Sequence, residues 1–302
     1  VAVELATGTV VVLTPMQLEC REMLRHLRGG ERVWHAKGTF AQVGRIDEVP
    51  WQVAVVVAGE GNLRSAVLAE RLASWFRPVA LLVVGIAGAL KADIDIGDVV
   101  VGTRIHGYQG GRQDDAGFHA RPQSYPADSV LVDVARAVDL DGAWPPNGTA
   151  PAVHFKPIAA GDIVLNSSDT PLRDQITHHY NDACAIETES AGSAAAAHLD
   201  GTLRALTIRG ISDKADGNKH RSDGGGLQPL AAAHAAAFTV GLLRELDCAL
   251  VASEDGDLSR PLGASRPATA VQTVDAGPGS TVYAVQKGVQ NITTRPAGAP
   301  PD

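Results

Sequence analysis

Cysteine is scarce in this chain of 302 residues: Cys20, Cys184 and Cys248 are far apart, odd in number and outside any metal-ligand spacing. No disulfide framework can be built on them, and a reducing, cytoplasmic setting is the expectation. Long hydrophobic runs are also missing, and the longest, Val79 to Leu90, is too short to span a bilayer. The opening VAVELATGTVVVLTP has neither a basic n-region nor a clear cleavage site, so no signal peptide and no membrane partner are expected. Positive charge is not in excess either. Lys and Arg number 26 against 34 Asp and Glu, a net charge of −8, which argues against nucleic acid as the main partner and leaves a small nucleoside or nucleotide open. HExxH, GxSxG and Walker A patterns are absent. The ten histidines show no ligand pattern, and adjacent His178 and His179 point to different sides of a helix. No metal is expected.

What the chain has is apolar material in alternating patterns. At 45% hydrophobic residues it can bury a full core without staples. Thr9 to Leu13, Val53 to Ala58, Val79 to Val84 and Ile96 to Gly102 read as buried strands. Helical spacing covers Met16 to Leu27 and Leu63 to Phe76, the second stopped by Pro78. Gly59 to Asn62 and Gly85 to Ala89 read as small-residue turns. The polar stretch His106 to Asp128 reads as a long loop. A short helix is expected at Val130 to Val138, then a surface connection from Asp141 to Pro151. Beyond it the pattern predicts strands at His154 to Ala160 and Ala183 to Ile186, and helices at Pro171 to Tyr180, Thr188 to Leu199 and about Gln228 to Leu246. The alternation predicts one α/β domain over residues 1–250, with a mixed central β-sheet flanked by helices. Residues 251–302, rich in Ser, Thr, Gly, Pro and Ala, read as a low-order tail with one strand-like piece at Thr281 to Gln286.

The chemistry concentrates at element ends. Ile208 to Asp216 reads IRGISDKAD, a buried strand running into a polar turn with Ser212 and Asp213 at the junction. Ligands in open α/β sheets bind outside the carboxyl ends of the strands. Asp213 can therefore serve proton transfer or merely cap the next turn. Glu187, Thr188 and Glu189 open a helix directly after a strand. Stabilisation of the helix dipole accounts for one of these glutamates better than for two, and a carboxylate there can also accept hydrogen bonds from a sugar diol. Glu19 lies in the first turn of its helix. Lys156, Arg173, Lys214 and Lys219 can each serve a phosphate or simply solvate the surface.

Six stretches, in order, make up a resemblance: VVLTPMQLE, VAGEGNLRSA, LLVVGIAGAL with IDIGDVVVG, AAGDIVLN, AIETESAG and IRGISDKAD. Across Thr9 to Leu246 the chain resembles the nucleoside phosphorylase/nucleosidase superfamily, and most closely its methylthioadenosine/S-adenosylhomocysteine nucleosidase branch. The resemblance implies a cofactor-free hydrolase acting on a small purine nucleoside with a 5′ thioether, and a homodimer. It implies that Asp213 protonates purine N7 and that Glu19, ionised, takes a proton from water. Glu189 would hold the ribose hydroxyls, supported by Glu187 and Arg209. Val164 and Leu165 would pack the base, and Ile86, Ala87 and Gly88 would approach the sugar. His106 to Asp128 would build the 5′ pocket, partly on a neighbouring subunit. Protonating the purine turns a poor leaving group into a good one, an effect of about 10²–10⁴-fold.

Val83 and Ile86 stand where phosphorylases carry the arginine and the hydroxyl that bind phosphate, so water is the expected nucleophile. The chain departs from the nucleosidases at Thr188, where they have Met, at Ile86, where they have Ser, and at Ser190, where they have a small Gly or Ala. These departures keep two alternatives in view: a phosphorolytic nucleoside phosphorylase, and a nucleoside- or nucleotide-binding sensor or effector domain with weak catalysis.

Overall fold

The computed structural model describes residues 8–145, 151–217 and 226–255, with side chains in the last helix as far as Leu246. The chain divides into a unit of Val1–Asp255 and a second of Gly256–Asp302. The expected tail beyond Asp255, its strand-like piece and Lys219 lie outside the described residues.

Four parallel strands form the centre of a mixed sheet: β1 (Thr9–Thr14), β4 (Gln52–Val57), β5 (Ala80–Ala89) and β12 (Ala205–Asp213). Their apolar runs are buried on both faces, as parallel strands covered by helices must be. An antiparallel extension, β2 (Leu27–Trp34) and β3 (Phe40–Ile46), continues the sheet beyond β4. On the other side β6 (Val99–Gly107) pairs antiparallel with β12 and parallel with β10 (Val153–Ala160). The short β11 (Ala185–Glu187) joins β10 and also reaches back to β5, matching Ala185 with Ala89 and Ile186 with Gly88. That pairing closes β5, β12, β6, β10 and β11 into a ring. It brings the chain following β10 and β11 to the carboxyl ends of the central strands.

Helices cover both faces. On one, α1 (Gln17–Leu24) and α3 (Ser129–Asp141) pack against α6 (Leu227–Asp255). Met23, Leu131, Val134, Val138, Phe238 and Leu242 are buried there with Val10, Val12 and Leu82 of the sheet. On the other, α2 (Asn62–Phe76) packs on α5 (Ser190–Asp200). Its Leu68, Ala69 and Leu72 are buried against Val11, Leu13 and Val56. Local chemistry sets the boundaries. Asp128 caps α3 by accepting from Leu131 N at 3.1 Å, Thr170 caps α4 (Pro171–His179) with Pro171 at its first turn, and Arg77 ends α2 in the left-handed region before Pro78.

The mixed sheet flanked by helices matches the sequence expectation; several boundaries do not. The helix expected to Leu27 stops at Leu24, and the chain turns at once into the β2–β3 hairpin. Gly85 to Ala89 is strand rather than turn, because its small residues let β5 pair with both β12 and β11. The stretch 106–128 is not an open loop. It completes β6 and forms β7 (Gly111–Asp114), β8 (Gly117–Ala120) and β9 (Gln123–Pro126), of which β7 pairs with β8 and β9 with β6. Strand β12 runs through Asp213 instead of ending before it, and α6 continues to Asp255.

Candidate active site

A cavity of about 210 Å³ opens at the carboxyl ends of β1, β5 and β12. Its wall gathers Glu19 from α1, Ile86, Ala87 and Gly88 from β5, and Ser212 and Asp213 from β12. Glu187, Thr188 and Glu189 come from the β11–α5 junction, and Val164 and Leu165 from the chain after β10. Of the residues named for catalysis or for holding the base and sugar, all are in this wall except Arg209, which is buried behind it. Pro15, Met16, Glu60, Ile163, Ile186 and Gln228 line it as well.

Glu19 is the third residue of α1, and its carboxylate reaches back to the helix start as in a capping box. It accepts from Met16 N at 2.6 Å and from Ile86 N at 2.9 Å. Burial pushes its carboxyl up to about 7, against the pull of the Arg209 guanidinium and those two amides. A group in this range is poised between its two forms at neutral pH, where a general base is most effective.

Asp213 is buried at the end of β12. Its Oδ1 accepts from Ala215 N at 2.9 Å and its Oδ2 from Ser212 Oγ at 2.9 Å. Ser212 Oγ also lies 3.4 Å from Ala87 O. One hydroxyl proton can serve only one of these acceptors. With Ser212 turned to Ala87, Oδ2 loses this donor. The carboxyl fits because Gly88 stands opposite it in the ladder; a Cβ there would come within 2.8 Å of Oδ1.

The two glutamates of the ETE run divide their labour. Glu187 accepts from the backbone N–H groups of Glu189 and Ser190 and from Ser190 Oγ at 3.0 Å, and forms an ion pair with Arg209. It therefore acts as a helix-start anchor, and burial pushes its carboxyl up while Arg209 opposes the rise. Glu189 is held by Arg209 Nη2 at 3.3 Å, by Gly61 N at 3.5 Å and by the Thr188 hydroxyl. Arg209, fully buried, also donates to Ser190 Oγ at 3.0 Å and to Ile86 O at 3.4 Å. It ties β12, β5 and the start of α5 into one frame.

Four further residues shape the site without standing out in the sequence. Buried Tyr108 donates to Ile163 O at 3.1 Å, Gln109 Oε1 accepts from Asp162 N at 2.8 Å, and Asp162 Oδ1 accepts from Asn62 N at 2.8 Å and Nδ2 at 3.0 Å. They fix the loop carrying Val164 and Leu165. Asn62 and Asp162 fall inside quoted motifs, but Tyr108 and Gln109 carried no signal beyond a polar stretch.

Other stretches named in the sequence lie away from the cavity wall. No residue of 106–128 lines the cavity within one chain. Val83, three residues before Ile86 on a strand of period two, faces a different cavity beside Ile105 and Thr207. Lys156 pairs with Asp93 at 3.4 Å, Lys214 with Asp95 at 3.1 Å, and Arg173 donates to Leu90 O at 3.0 Å, all away from the cavity wall. Among the described residues no group of three or more His, Cys, Asp or Glu side chains could hold a metal ion, and no helix is long and apolar enough to cross a membrane.

A mixed α/β sheet with buried acids at its strand ends defines a ligand-binding α/β fold equipped for proton transfer. The profile of the phosphorylase superfamily matches residues 9–244, and the chain belongs to that family. It is 31% identical over 211 residues to a 5′-methylthioadenosine/S-adenosylhomocysteine nucleosidase of Maridesulfovibrio salexigens, a match spanning 67% of this chain and 85% of the relative. It is 25% identical over 250 residues to the ATP nucleosidase Cap17 of Escherichia coli, spanning 71% of this chain and 48% of that one. The fold superposes on the methylthioadenosine/S-adenosylhomocysteine nucleosidase of Neisseria meningitidis in complex with methylthio-immucillin-A with a TM-score of 0.67 at 22% identity, over 78% of this chain and 99% of that one.

Proposed function

We propose that this chain is a purine nucleosidase that hydrolyses the N-glycosidic bond of an adenine nucleoside of the methylthioadenosine/S-adenosylhomocysteine type and releases adenine. The observation that carries the reading is one cavity holding two buried carboxyl groups with different partners. Asp213 is buried with Oδ1 on Ala215 N and Oδ2 facing the Ser212 hydroxyl, and Glu19 is poised near neutrality to accept a proton. Asp213 protonates the departing purine as the ribose gains positive charge. Glu19 takes a proton from the attacking water, and Glu189 receives the ribose hydroxyls. Arg209 holds Glu189 in place. Val164 and Leu165 supply apolar contact for the base. The resemblance and the relatives' names supply the adenine nucleoside, and the geometry supplies groups able to do the work.

Water rather than phosphate is the nucleophile in this reading. The cavity wall contains no Lys, Arg or His among the described residues, and its carboxylates repel an anion. The similarity to an ATP nucleosidase favours a second reading, in which the same chemistry acts on a nucleotide. We extend the first reading to residues 1–250 as the catalytic domain, to a cytoplasmic setting and to a homodimer. The dimer is supported by the outward face of α2, where Leu63 is 79% and Val67 51% exposed.

The test is adenine release from 5′-methylthioadenosine, with and without phosphate, by wild type and Asp213→Asn. Release without phosphate that drops by about 10²-fold or more in the variant is the expected result. Release only with phosphate would make the chain a phosphorylase. Binding without release would make it a sensor, and faster release from ATP would favour the nucleotide reading.

A further inference from the structure

The turn between β4 and α2 brings a carboxylate to the cavity wall that the proposed chemistry does not use. Glu60 is exposed, lines the cavity beside Met16 and Gln228, and is not an ion-pair partner of any described residue. Gly59 and Gly61, at φ +79° and +100°, let the backbone turn on both sides of it. The turn is pinned throughout. Ala58 N donates to Thr14 O at 2.8 Å, Gly59 N to Pro15 O at 3.0 Å and Gly61 N to Glu189 Oε1 at 3.5 Å. Asn62 then bonds Asp162 and accepts from Gly192 N at 3.0 Å. Glu60 is thus held on a rigid turn, one residue from the amide that meets the proposed ribose-binding carboxylate. That places it at the sugar end of the cavity rather than at Asp213.

Charge gives this position a consequence. The nearest guanidinium along the chain, Arg64, donates to Ala58 O and faces a separate cavity with Lys37 and Arg71. Arg209 is committed to Glu187 and Glu189. Among the described residues, the charged side chains of the wall around Glu60 are therefore all acidic, and their field is concentrated by the low-dielectric protein around them.

We propose that Glu60 is a specificity-determining residue, which selects purine nucleosides whose 5′-substituent carries an ammonium or another strong hydrogen-bond donor and disfavours 5′-phosphates. The inference rests on the nucleosidase reading. Gln228, on the same wall, adds a neutral polar side chain where an apolar substituent would gain more from a hydrophobic one.

The test compares kcat/KM for 5′-amino-5′-deoxyadenosine, 5′-methylthioadenosine and adenosine 5′-monophosphate in wild type, Glu60→Gln and Glu60→Lys. As an exposed loop side chain, Glu60 can be replaced without loss of the fold, which a thermal melt checks. The amino-to-methylthio ratio should fall about fivefold to tenfold in Glu60→Gln, and Glu60→Lys should raise turnover of the monophosphate relative to the methylthio compound. An unchanged ratio in both variants, with methylthioadenosine still cleaved, overturns the assignment of Glu60 alone. Wild-type cleavage of the monophosphate as fast as that of the methylthio compound overturns it too. Absence of base release from every nucleoside removes the nucleosidase reading and this inference with it.

Discussion

Replacing Glu19 by Gln should change how stability depends on pH. The Glu19 carboxyl is raised from 4.5 to about 7 by burial. The folded chain therefore holds this proton more tightly than the unfolded chain, and the sign follows. The stabilisation from the protonated form is fully present below about pH 4.5 and is lost as pH rises through about 7. The shift corresponds to about 3 kcal/mol, most of which is lost between pH 5 and pH 8. Glutamine cannot ionise, so that loss disappears in Glu19→Gln. Against this, both oxygens of the carboxyl, protonated or not, can accept from Met16 N and Ile86 N, whereas the amide has one oxygen and turns its NH₂ against the other donor. That unsatisfied contact costs about 1–3 kcal/mol at either pH. The variant should thus be less stable than wild type at pH 5 and gain on it by about 2–3 kcal/mol at pH 8. For a domain of this size the relative gain is about 5–10 °C in Tm. Paired denaturant melts at the two pH values measure the difference. An equal stability gap at both would mean that Glu19 does not titrate in this range, and the base assignment would lose its support. In the wild type, kcat/KM should rise with pH through about 7 if Glu19 accepts the proton.

Three further outcomes follow from the same geometry. Arg209→Met leaves Glu187 and Glu189 buried without their cation and should destabilise the fold by about 3–5 kcal/mol; a melt within about 1 kcal/mol of wild type would contradict the frame described for it. Gly88→Ala introduces a methyl 2.8 Å from Asp213 Oδ1 and 3.2 Å from Ala215 Cβ. It should cost only about 1–3 kcal/mol of stability while lowering kcat by displacing the acid, and an unchanged kcat would show that Asp213 tolerates movement. A chain ending at Asp255, the boundary of the first unit, should keep wild-type adenine release; a large loss would assign the remaining residues to catalysis.

The sequence by itself determined the chemistry that could be present. Apolar runs of strand length, separated by helical spacing, dictated a mixed α/β sheet, since such strands must bury both faces and such helices one. Glu19, Glu187, Glu189 and Asp213 were legible because carboxylates at the ends of apolar elements conflict with burial unless they have partners. Local patterns could not reach the rest. Whether Gly85 to Ala89 is turn or strand depended on β11 arriving from about a hundred residues away. The hairpin after α1 and the strands within 106–128 form by cross-strand pairing, which short-range periodicity does not encode. Tyr108 and Gln109 act through contacts with residues more than fifty positions distant. Only the tertiary structure showed what holds each glutamate: helix amides and Arg209 for Glu187, and Arg209, Gly61 N and the Thr188 hydroxyl for Glu189. It also set the proton affinity of Glu19, because desolvation and the field of Arg209 are properties of a position in space rather than of a neighbour in sequence.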